Sequence, residues 1–230
     1  MDNVLSCAVS AVSKTLGLQT DYEIQLVAQN MELKEVRKNY YIYHDLEKPR
    51  AVAYLIKGKV KIFKDGIGGR NQIVRVIKTG QFLGYRAYFA NEDYRTSAMA
   101  FENSTIAFIP TEVIGKLVAA NYKVAWFFLH CLSVELGLSD DRTINLTQKH
   151  LRGRLAEALL FLKESYGMED DGYTLDIFLS REDLASLSNM TTSNAIRTLS
   201  SFSSEKLIAI DGRKIKLINI PELVKISKMG

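Results

Sequence analysis

The chain has 230 residues, of which 47% are hydrophobic and 24% charged, and its formal net charge is +4 at pH 7. This length allows one large domain or two small ones, and the composition is that of an ordinary folded protein. The two cysteines, Cys7 and Cys131, exclude a disulfide framework and a four-cysteine metal site supplied by this chain alone. The N-terminus lacks a basic region, and the apolar run at residues 124–138 is too short and too polar to span a bilayer. We therefore expect a cytoplasmic protein without a membrane partner.

In the first half of the chain the pattern of apolar residues changes near residue 36. Residues 1–36 have the apolar spacing of short helices, whereas residues 36–110 form short extended pieces separated by turn residues. Residues 52–56 and 60–63 flank Lys57-Gly58-Lys59, which predicts a β-hairpin. Many short strands at this spacing are typical of a closed or rolled antiparallel sheet.

After Pro110 the pattern becomes helical. Residues 111–119 predict a short helix capped by Thr111, and residues 121–148 predict one long helix. The long helix carries a heptad-like apolar stripe, which predicts a dimer interface. This stripe consists of Val124, Phe127, Cys131, Val134 and Leu138.

The long helix is also apolar away from that stripe, at Trp126, Leu129 and Leu136 among other positions. A helix that is apolar on more than one side must be covered on more than one side. The predicted sheet domain can supply one cover, and the simplest second cover is the same helix of another subunit, which predicts a two-fold homodimer. Burial within a large monomer core is the alternative.

The end of the long helix leads into a second helical region. The apolar stripe fades over residues 138–148, which predicts a hinge between domains. Residues 151–166 predict a further helix, an acidic turn follows at residues 167–172, and residues 174–179 predict a strand.

Residues 180–207 predict two short helices joined by a tight turn. Ser180, followed three residues later by an acid, has the spacing of a capped helix start, and Thr191 or Thr192 can cap the second helix. A hairpin with an Asp-Gly turn at residues 211–212 comes next. Two helices and a hairpin in this order predict a winged helix-turn-helix.

The second helix of this pair has a short polar face with almost no negative charge. That face consists of Thr192, Ser193, Asn194, Arg197, Ser200 and Ser201. Residues 186–218 contain five basic side chains against two acidic ones, a surplus of three positive charges. Such a helix suits insertion into a DNA major groove, and the surplus suits contacts with phosphates. The alternative is a pair of solvated helices in an ordinary helical domain.

The predicted order of β-roll, long helix and winged helix-turn-helix resembles the bacterial family of catabolite activator proteins and fumarate–nitrate reduction regulators, the CRP/FNR family. The resemblance covers nearly the whole chain and rests on three local matches. These are residues 54–62, like the family's second hairpin; residues 80–84 ahead of residues 95–98, like its cyclic-nucleotide phosphate cassette; and residues 179–207 followed by Gly212.

The resemblance implies an α+β fold in three parts. Residues 1–120 would form a cyclic-nucleotide-binding-like antiparallel β-roll with flanking helices, residues 121–148 the dimerisation helix and hinge, and residues 149–230 the winged helix-turn-helix. In the family an effector binds the roll, the long helices reset, and two recognition helices engage a palindromic site. The expected partners are therefore double-stranded DNA, a second copy of the chain and RNA polymerase.

The effector region departs from the family pattern. Nucleotide-binding members carry a glutamate after the cassette glycine to bond the ribose hydroxyl, whereas here Tyr85 follows the glycine. The missing carboxylate argues against cyclic AMP and leaves room for a small anionic effector of unspecified identity. A guanidinium and a hydroxyl at Arg95 and Thr96 match the family's phosphate-binding pair, and a salt bridge from Arg95 to Glu92 or to another acid of the roll is the alternative. The expected pocket consists of Gly84, Tyr85, Arg86, Arg95, Thr96 and Ser139.

The recognition helix departs as well. Many family members begin it with an Arg-Glu pair and place a second arginine one turn on, and here only the second arginine remains, as Arg197. We expect Arg197 to contact guanine, with Thr192 and Ser193 at other base edges. The residues expected to contact phosphates are Thr191, Asn194, Arg213 and Lys214.

Other functions have less support in the sequence. A ligand-sensing module that acts through protein partners needs no basic recognition face, so the positive surplus counts against it. His44, His130 and His150 are scattered, and no metal or other cofactor is predicted. The glycine-rich turn at residues 66–69 lacks the lysine and the following helix that phosphate transfer requires, and no nucleophile–base pair is evident, so we do not expect an enzyme.

Overall fold

The structure, a computed structural model, describes residues 2–66 and 71–229. The glycine-rich turn at residues 66–69 therefore lies, from residue 67 onward, outside the described residues. The chain divides into two compact units. The first comprises Met1–Lys64 and Val74–Gly137, and the second comprises Asp65–Ile73 and Leu138–Gly230.

The first unit begins with two helices and continues as short strands before it returns to helix. The elements are α1 (Asp2–Leu16), α2 (Asp21–Asn30), β1 (Glu32–Val36), β2 (Tyr41–Tyr43), β3 (Ala51–Lys57), β4 (Lys59–Asp65), β5 (Asn71–Lys78), β6 (Phe82–Leu83), α3 (Tyr85–Ala90), β7 (Ser97–Ala100), β8 (Ser104–Pro110), α4 (Thr111–Ala120) and the start of α5 (Tyr122–Gln148). The helical pattern expected up to residue 36 ends earlier than predicted, because β1 pairs along its whole length with β8.

The strands form two four-stranded sheets, in the orders β1-β8-β3-β6 and β2-β7-β4-β5. Alternate side chains from both sheets point inward and make a continuous apolar interior. Its members include Leu55, Val60, Ile62, Ala98 and Ile106, all of them buried. The predicted antiparallel β-roll is confirmed.

The hairpin predicted around Lys57-Gly58-Lys59 is wrong. β3 pairs with β8 and β6, whereas β4 pairs with β7 and lies in the other sheet. Gly58 has φ +103°, and a Cβ atom added there would lie 2.2 Å from the hydroxyl oxygen of Ser104. The glycine therefore permits a sharp passage between sheets at a point where another strand approaches closely, which short-range turn signals do not distinguish from a hairpin.

Helices cover one face of the roll. α1, α2, α4 and the first half of α5 share an apolar cluster with β3 and β8, in which Val12, Val27, Ile114 and Phe128 are buried. The expected cap of α4 is wrong, because Pro110 occupies the N-cap position and the Thr111 hydroxyl donates instead to the carbonyl oxygen of Arg50, at 3.3 Å.

The stripe predicted as a dimer interface is largely turned toward the roll. Val124 is completely buried, and Phe127 and Cys131 pack against the same cluster. Only Val134 and Leu138, the last two residues of the stripe, are exposed. The opposite side of α5 exposes large apolar side chains, namely Trp126 (68% exposed), Leu129 (53%) and Leu136 (65%). Periodicity marked two apolar faces, but it did not show which of them the roll covers.

The second unit contains the end of α5 and the remaining elements. These are α6 (Leu151–Tyr166), α7 (Arg181–Leu187), α8 (Thr192–Ser204), β9 (Ile208–Asp211), β10 (Lys214–Leu217) and α9 (Ile220–Met229). α5 runs without a break through the predicted hinge at residues 138–148. α9, which the sequence analysis did not predict, packs on α6, and Leu223 of α9 and Leu155 and Leu159 of α6 are all completely buried.

The strand predicted at residues 174–179 is wrong. That segment makes only isolated bridges, Met168 to Leu175 and Thr174 to Lys216. The Asp171 carboxylate accepts the backbone N–H groups of Tyr173 and Thr174 at 2.9 and 2.7 Å, and these bonds hold the segment in a turn.

Among the described residues, no single helix is long and apolar enough to cross a membrane. α4 and α5 together reach the required length and composition, but they are bent by 114° where they meet.

Candidate DNA-binding surface and effector region

The two helices of the helix-turn-helix are fixed by caps at both starts. The Ser180 hydroxyl accepts from the backbone N–H of Asp183 at 3.0 Å and donates to the carboxylate of that residue at 2.7 Å. At the turn, Asn189 adopts φ +48°, in the left-handed region that asparagine tolerates. Thr191 is the N-cap of α8, where its hydroxyl accepts from the backbone N–H of Asn194 at 3.2 Å. The predicted caps are therefore confirmed, and Thr191 fills the role for which two threonines were considered.

α8 has one buried and one exposed face. Ala195, Leu199 and Phe202 are buried and hold the helix on its own unit. The exposed side chains are Thr191, Thr192, Ser193, Ile196, Arg197 and Ser200, while Asn194 is half-buried. The side chains expected to contact DNA thus share one accessible surface, and an isoleucine lies among them.

An arginine of α6 holds the end of α8. Arg152 makes two parallel hydrogen bonds to the Glu205 carboxylate, at 2.8 and 2.7 Å, and its guanidinium lies 4.9 Å over the Phe202 ring. The same guanidinium donates to the Ser201 hydroxyl at 2.7 Å, so Ser201 faces α6 rather than the expected DNA-contacting surface. The bond from Arg152 lowers the pKa of Glu205 from 4.5 to about 2.

The wing has the predicted hairpin, with Lys214 opposite Asp211 and Gly212 at φ +56°. Its lysines are paired with the acidic turn that precedes α7. The Lys214 ammonium lies 3.1 Å from both carboxylate oxygens of Glu169, and Lys216 lies 3.3 Å from Asp171. The positive surplus counted from the sequence is therefore partly neutralised by residues outside the counted segment.

Arg197 on α8 and Arg213 at the tip of the wing are both exposed. In the parts of the chain that the structure describes, neither arginine has an ion-pair partner. Their guanidinium groups are therefore available to an anionic ligand such as DNA.

In the first unit, the residue after Gly84 fills space inside the protein. Gly84 has φ +85° and is the N-cap of α3, and Tyr85 begins the helix with only 2% of its surface exposed. The ring centroid of Tyr85 lies 5.3 Å from that of Phe128 on α5. The Tyr85 hydroxyl donates to the Glu135 carboxylate, which also pairs with Arg75 of β5 at 2.5 Å. A tyrosine, a glutamate and an arginine thus join α3, α5 and β5.

Burial keeps the Tyr85 hydroxyl of this cluster protonated. Desolvation raises the pKa of Tyr85 well above that of a free phenol, so the hydroxyl is a neutral donor at physiological pH. The Cys131 thiol lies beside the cluster, and its pKa is raised by burial and then by the Glu135 charge. A thiol with a raised pKa is a weak nucleophile, which disfavours Cys131 as a redox sensor.

The two arginines of the expected pocket share one carboxylate. Arg95 pairs with Glu92 at 2.8 Å, and Arg86 pairs with the same group. The Arg86 hydrogen bond, followed by that of Arg95, lowers the pKa of Glu92. Of the two roles considered for Arg95, the structure therefore shows the salt bridge.

The expected pocket also includes Thr96 and Ser139. Thr96 is hydrogen-bonded to Tyr43, whose burial raises its pKa to about 12. Ser139 belongs to the second unit, where it is exposed and its carbonyl accepts from the Thr143 hydroxyl at 2.9 Å. A ligand role for Thr96 and Ser139 stays a prediction. Within residues 2–66 and 71–229, no group of three His, Cys, Asp or Glu side chains could hold a metal ion.

Two family models match the chain, a cyclic nucleotide-binding domain at residues 33–121 and a Crp-like helix-turn-helix domain at residues 153–226. The chain belongs to the CRP/FNR family of transcription regulators.

CRP/FNR relatives resemble the chain over most of its length. The global nitrogen regulator of Synechococcus elongatus is 23% identical over 192 residues, which cover 82% of this chain and 86% of that one. The transcriptional regulatory protein btr of Bordetella pertussis is 25% identical over 222 residues, covering 95% and 90%. The solved structure of FixK2 from Bradyrhizobium japonicum matches with a TM-score of 0.77 at 22% identity and covers 85% of this chain and 96% of that chain. The last likeness shows the fold alone.

Three structural features of the candidate sites were not predicted from the sequence. Ile196 was not singled out, although its position four residues after Thr192 places both on one helical face. Glu135 was not connected with Tyr85, because they are 50 residues apart. The pairing of Glu169 with the wing depends on a turn whose path the sequence pattern did not reveal.

Proposed function

We propose that this CRP/FNR regulator is a homodimer that binds a palindromic operator through α8 of each subunit. The observation that carries this proposal is the exposed face of α8, where Arg197 lies among threonine and serine side chains without an acidic neighbour on that face. A helix held by buried apolar residues and capped at its start presents such a face as a rigid surface, which suits the major groove.

The side chains expected to contact DNA have different proposed roles. The Arg197 guanidinium can donate two hydrogen bonds to the O6 and N7 atoms of guanine, the commonest specific contact in the major groove. Thr192 and Ser193 contact neighbouring base edges. The residues proposed to contact phosphates are Thr191, Asn194, Arg213 and Lys214. Lys214 can do so when its pair with Glu169 opens.

The second subunit covers the exposed apolar face of α5. Trp126, Leu129 and Leu136 lie on the side of the helix opposite to the residues that pack on the roll. Large apolar side chains repeated at this spacing are typical of a helix that packs against another helix. A second copy of α5 has the same apolar row, and packing the two rows across a two-fold axis buries both of them.

We propose that cyclic AMP is not the effector that acts through the roll. Tyr85 takes the position of the glutamate that holds the ribose in nucleotide-binding members, and its side chain is buried against Phe128. The bonds from Tyr85 and Arg75 to Glu135 join the roll directly to α5, the helix through which an effector would act. Arg95 is engaged by Glu92, so a small anionic effector would have to compete with that carboxylate. RNA polymerase is the proposed partner on family membership alone.

Gel shifts with the purified full-length protein test the DNA-binding proposal. Binding to a selected duplex should weaken steeply with salt, since each neutralised phosphate adds to the slope. Arg197→Ala should lose about 1–3 kcal/mol of preference for the selected duplex over random DNA. Lys214→Ala should weaken both duplexes alike and serves as the matched control. Unchanged preference in Arg197→Ala would contradict the assignment, and absence of any selected sequence would favour a module that acts through protein partners.

A further inference from the structure

Ile196 is the one large apolar side chain exposed on α8. It is 47% exposed and lies one turn after Thr192 and one turn before Ser200, so the three form a row along the accessible face. Arg197 lies beside this row. An isoleucine in the middle of a polar face that is proposed to enter the major groove requires an explanation other than core packing.

The methyl groups of Ile196 are the apolar part of that row, and its polar neighbour Ser200 is bonded to the helix backbone. The Ser200 hydroxyl donates to the carbonyl oxygen of Ile196 at 3.0 Å and is thus engaged by the helix backbone. Ala195, Leu199 and Phe202, on the buried face of the helix, pack in the core of the unit. Because isoleucine is branched at Cβ, its χ1 angle in a helix is nearly fixed, and the methyl groups point in a defined direction.

The major groove offers one apolar group on the edges of its bases, the C5 methyl of thymine. A rigid aliphatic side chain on the groove-facing surface of a helix is complementary to that methyl. Arg197 is the next residue along the helix, so the base it contacts lies near the one that faces Ile196.

We propose that Ile196 is a specificity-determining residue that contacts a thymine methyl group in each half-site, next to the guanine read by Arg197. This proposal rests on the proposed DNA-binding function and deepens it. Burial of one methyl group is worth about 0.8 kcal/mol, which corresponds to about fourfold in affinity per half-site.

A thymine-to-uracil scan of the selected duplex tests the proposal, because uracil differs from thymine only by the loss of the methyl group. Affinity of the full-length protein is measured by fluorescence anisotropy for each substituted duplex. One thymine per half-site should weaken binding by about fourfold when replaced, and by about 15-fold when both half-sites are replaced. The Ile196→Ser variant should bind the thymine and uracil duplexes equally. Ile218→Ser is the matched control, since Ile218 is 48% exposed and follows the end of β10 away from the wing turn.

Two results would overturn the contact. Either the wild-type protein tolerates uracil at every thymine, or Ile196→Ser keeps the full uracil effect. Both results leave the DNA-binding function intact, because a duplex has been selected. If the protein selects no duplex at all, that result contradicts both the proposed function and the thymine contact. Ile196 would then be exposed for a different kind of partner.

Discussion

A phenol at position 85 changes what the roll can hold. The Tyr85 hydroxyl donates a hydrogen bond to Glu135, whereas the glutamate that the family resemblance leads one to expect would accept hydrogen bonds from a ribose. The ring is buried against Phe128, and the carboxylate it meets already pairs with Arg75. In our proposal Tyr85 therefore makes a contact inside the protein where nucleotide-binding members contact their ligand.

The Tyr85→Phe variant removes only the hydroxyl and should lower the free energy of unfolding by about 1.5–3 kcal/mol, because a hydrogen bond to a charged group is lost. Tyr85→Ala also removes the buried ring and should lower it by about 3–5 kcal/mol. Urea denaturation followed by circular dichroism measures both. Tyr22→Phe, at an exposed tyrosine, is the control. If Tyr85→Phe unfolds at the wild-type urea concentration, the bond to Glu135 does not stabilise the roll.

Glu205 makes the anchoring of α8 dependent on pH. Its pKa is about 2 in the folded protein, because Arg152 donates to it, against 4.5 ordinarily. A lowered pKa means that the stabilisation is complete above pH 4.5 and is lost as the pH falls toward 2. Because both side chains are about two-fifths exposed, solvent screening limits the effect to less than about 1 kcal/mol.

Glu205→Gln should therefore destabilise the protein at neutral pH, and the difference from wild type should shrink as the pH falls below about 4.5. Urea denaturation at a series of pH values measures this difference. In an Arg152→Gln background the same substitution should make a much smaller pH-dependent difference, because only the Ser201 hydroxyl then donates to Glu205. A difference that stays constant down to the lowest pH would show that the pair with Arg152 is not its cause.

At the scale of elements, the acidic turn at residues 167–172 forms ion pairs with the lysines of the wing. Glu169 holds Lys214 through both carboxylate oxygens, so a wing lysine that could contact phosphate is paired within the protein. DNA binding must compete with this pair. In our proposal the turn therefore lowers the affinity for DNA of any sequence without affecting which bases are read.

Glu169→Gln should free Lys214, tighten binding to every duplex and increase the salt dependence by about one phosphate contact. Asp170→Asn is the matched control, because it removes the same charge from the same turn at a residue that pairs with neither wing lysine. Fluorescence anisotropy at several salt concentrations distinguishes the two. Equal effects of the two variants would mean that net charge, and not the release of Lys214, sets the affinity.

The elements that could be predicted from the sequence are those whose signals are local. The caps at Ser180 and Thr191 and the turn at Gly212 depend on residues within a few positions of one another, and all three are found in the structure. The supposed hairpin at Gly58 and the strand at residues 174–179 failed because their pairing depends on distant segments. The same limit applies to the effector region, where the partner of Tyr85 is on a helix far along the chain.

At the scale of the whole molecule, α5 has two apolar faces, of which the roll covers one. Sequence spacing identified both faces but assigned Val124 and its neighbours to the dimer, whereas the structure packs them on the roll. The exposed row of Trp126, Leu129 and Leu136 is left for the second subunit in our proposal. The choice between the faces follows from the fold of the roll and could not be read from a single helix.

Leu129→Glu should convert the protein from a dimer to a monomer of 25.9 kDa, because it places a charge in the centre of the exposed row. Sedimentation equilibrium of the wild type and the variant measures this change. Leu46→Glu, at a leucine exposed on the roll, is the control and should remain dimeric. A wild-type protein that sediments as a monomer, or a Leu129→Glu variant that remains a dimer, would contradict the assigned face.

Selection of binding sites from a random duplex library tests the central claim most directly. A two-fold dimer that reads DNA with α8 should enrich an inverted repeat with a guanine in each half-site and half-site centres about 10 base pairs, or a multiple of that, apart. Recovery of that repeat, and its loss when the selection is repeated with Arg197→Ala, is the predicted result. A library that stays unenriched, or an enriched site without two-fold symmetry, would contradict the account.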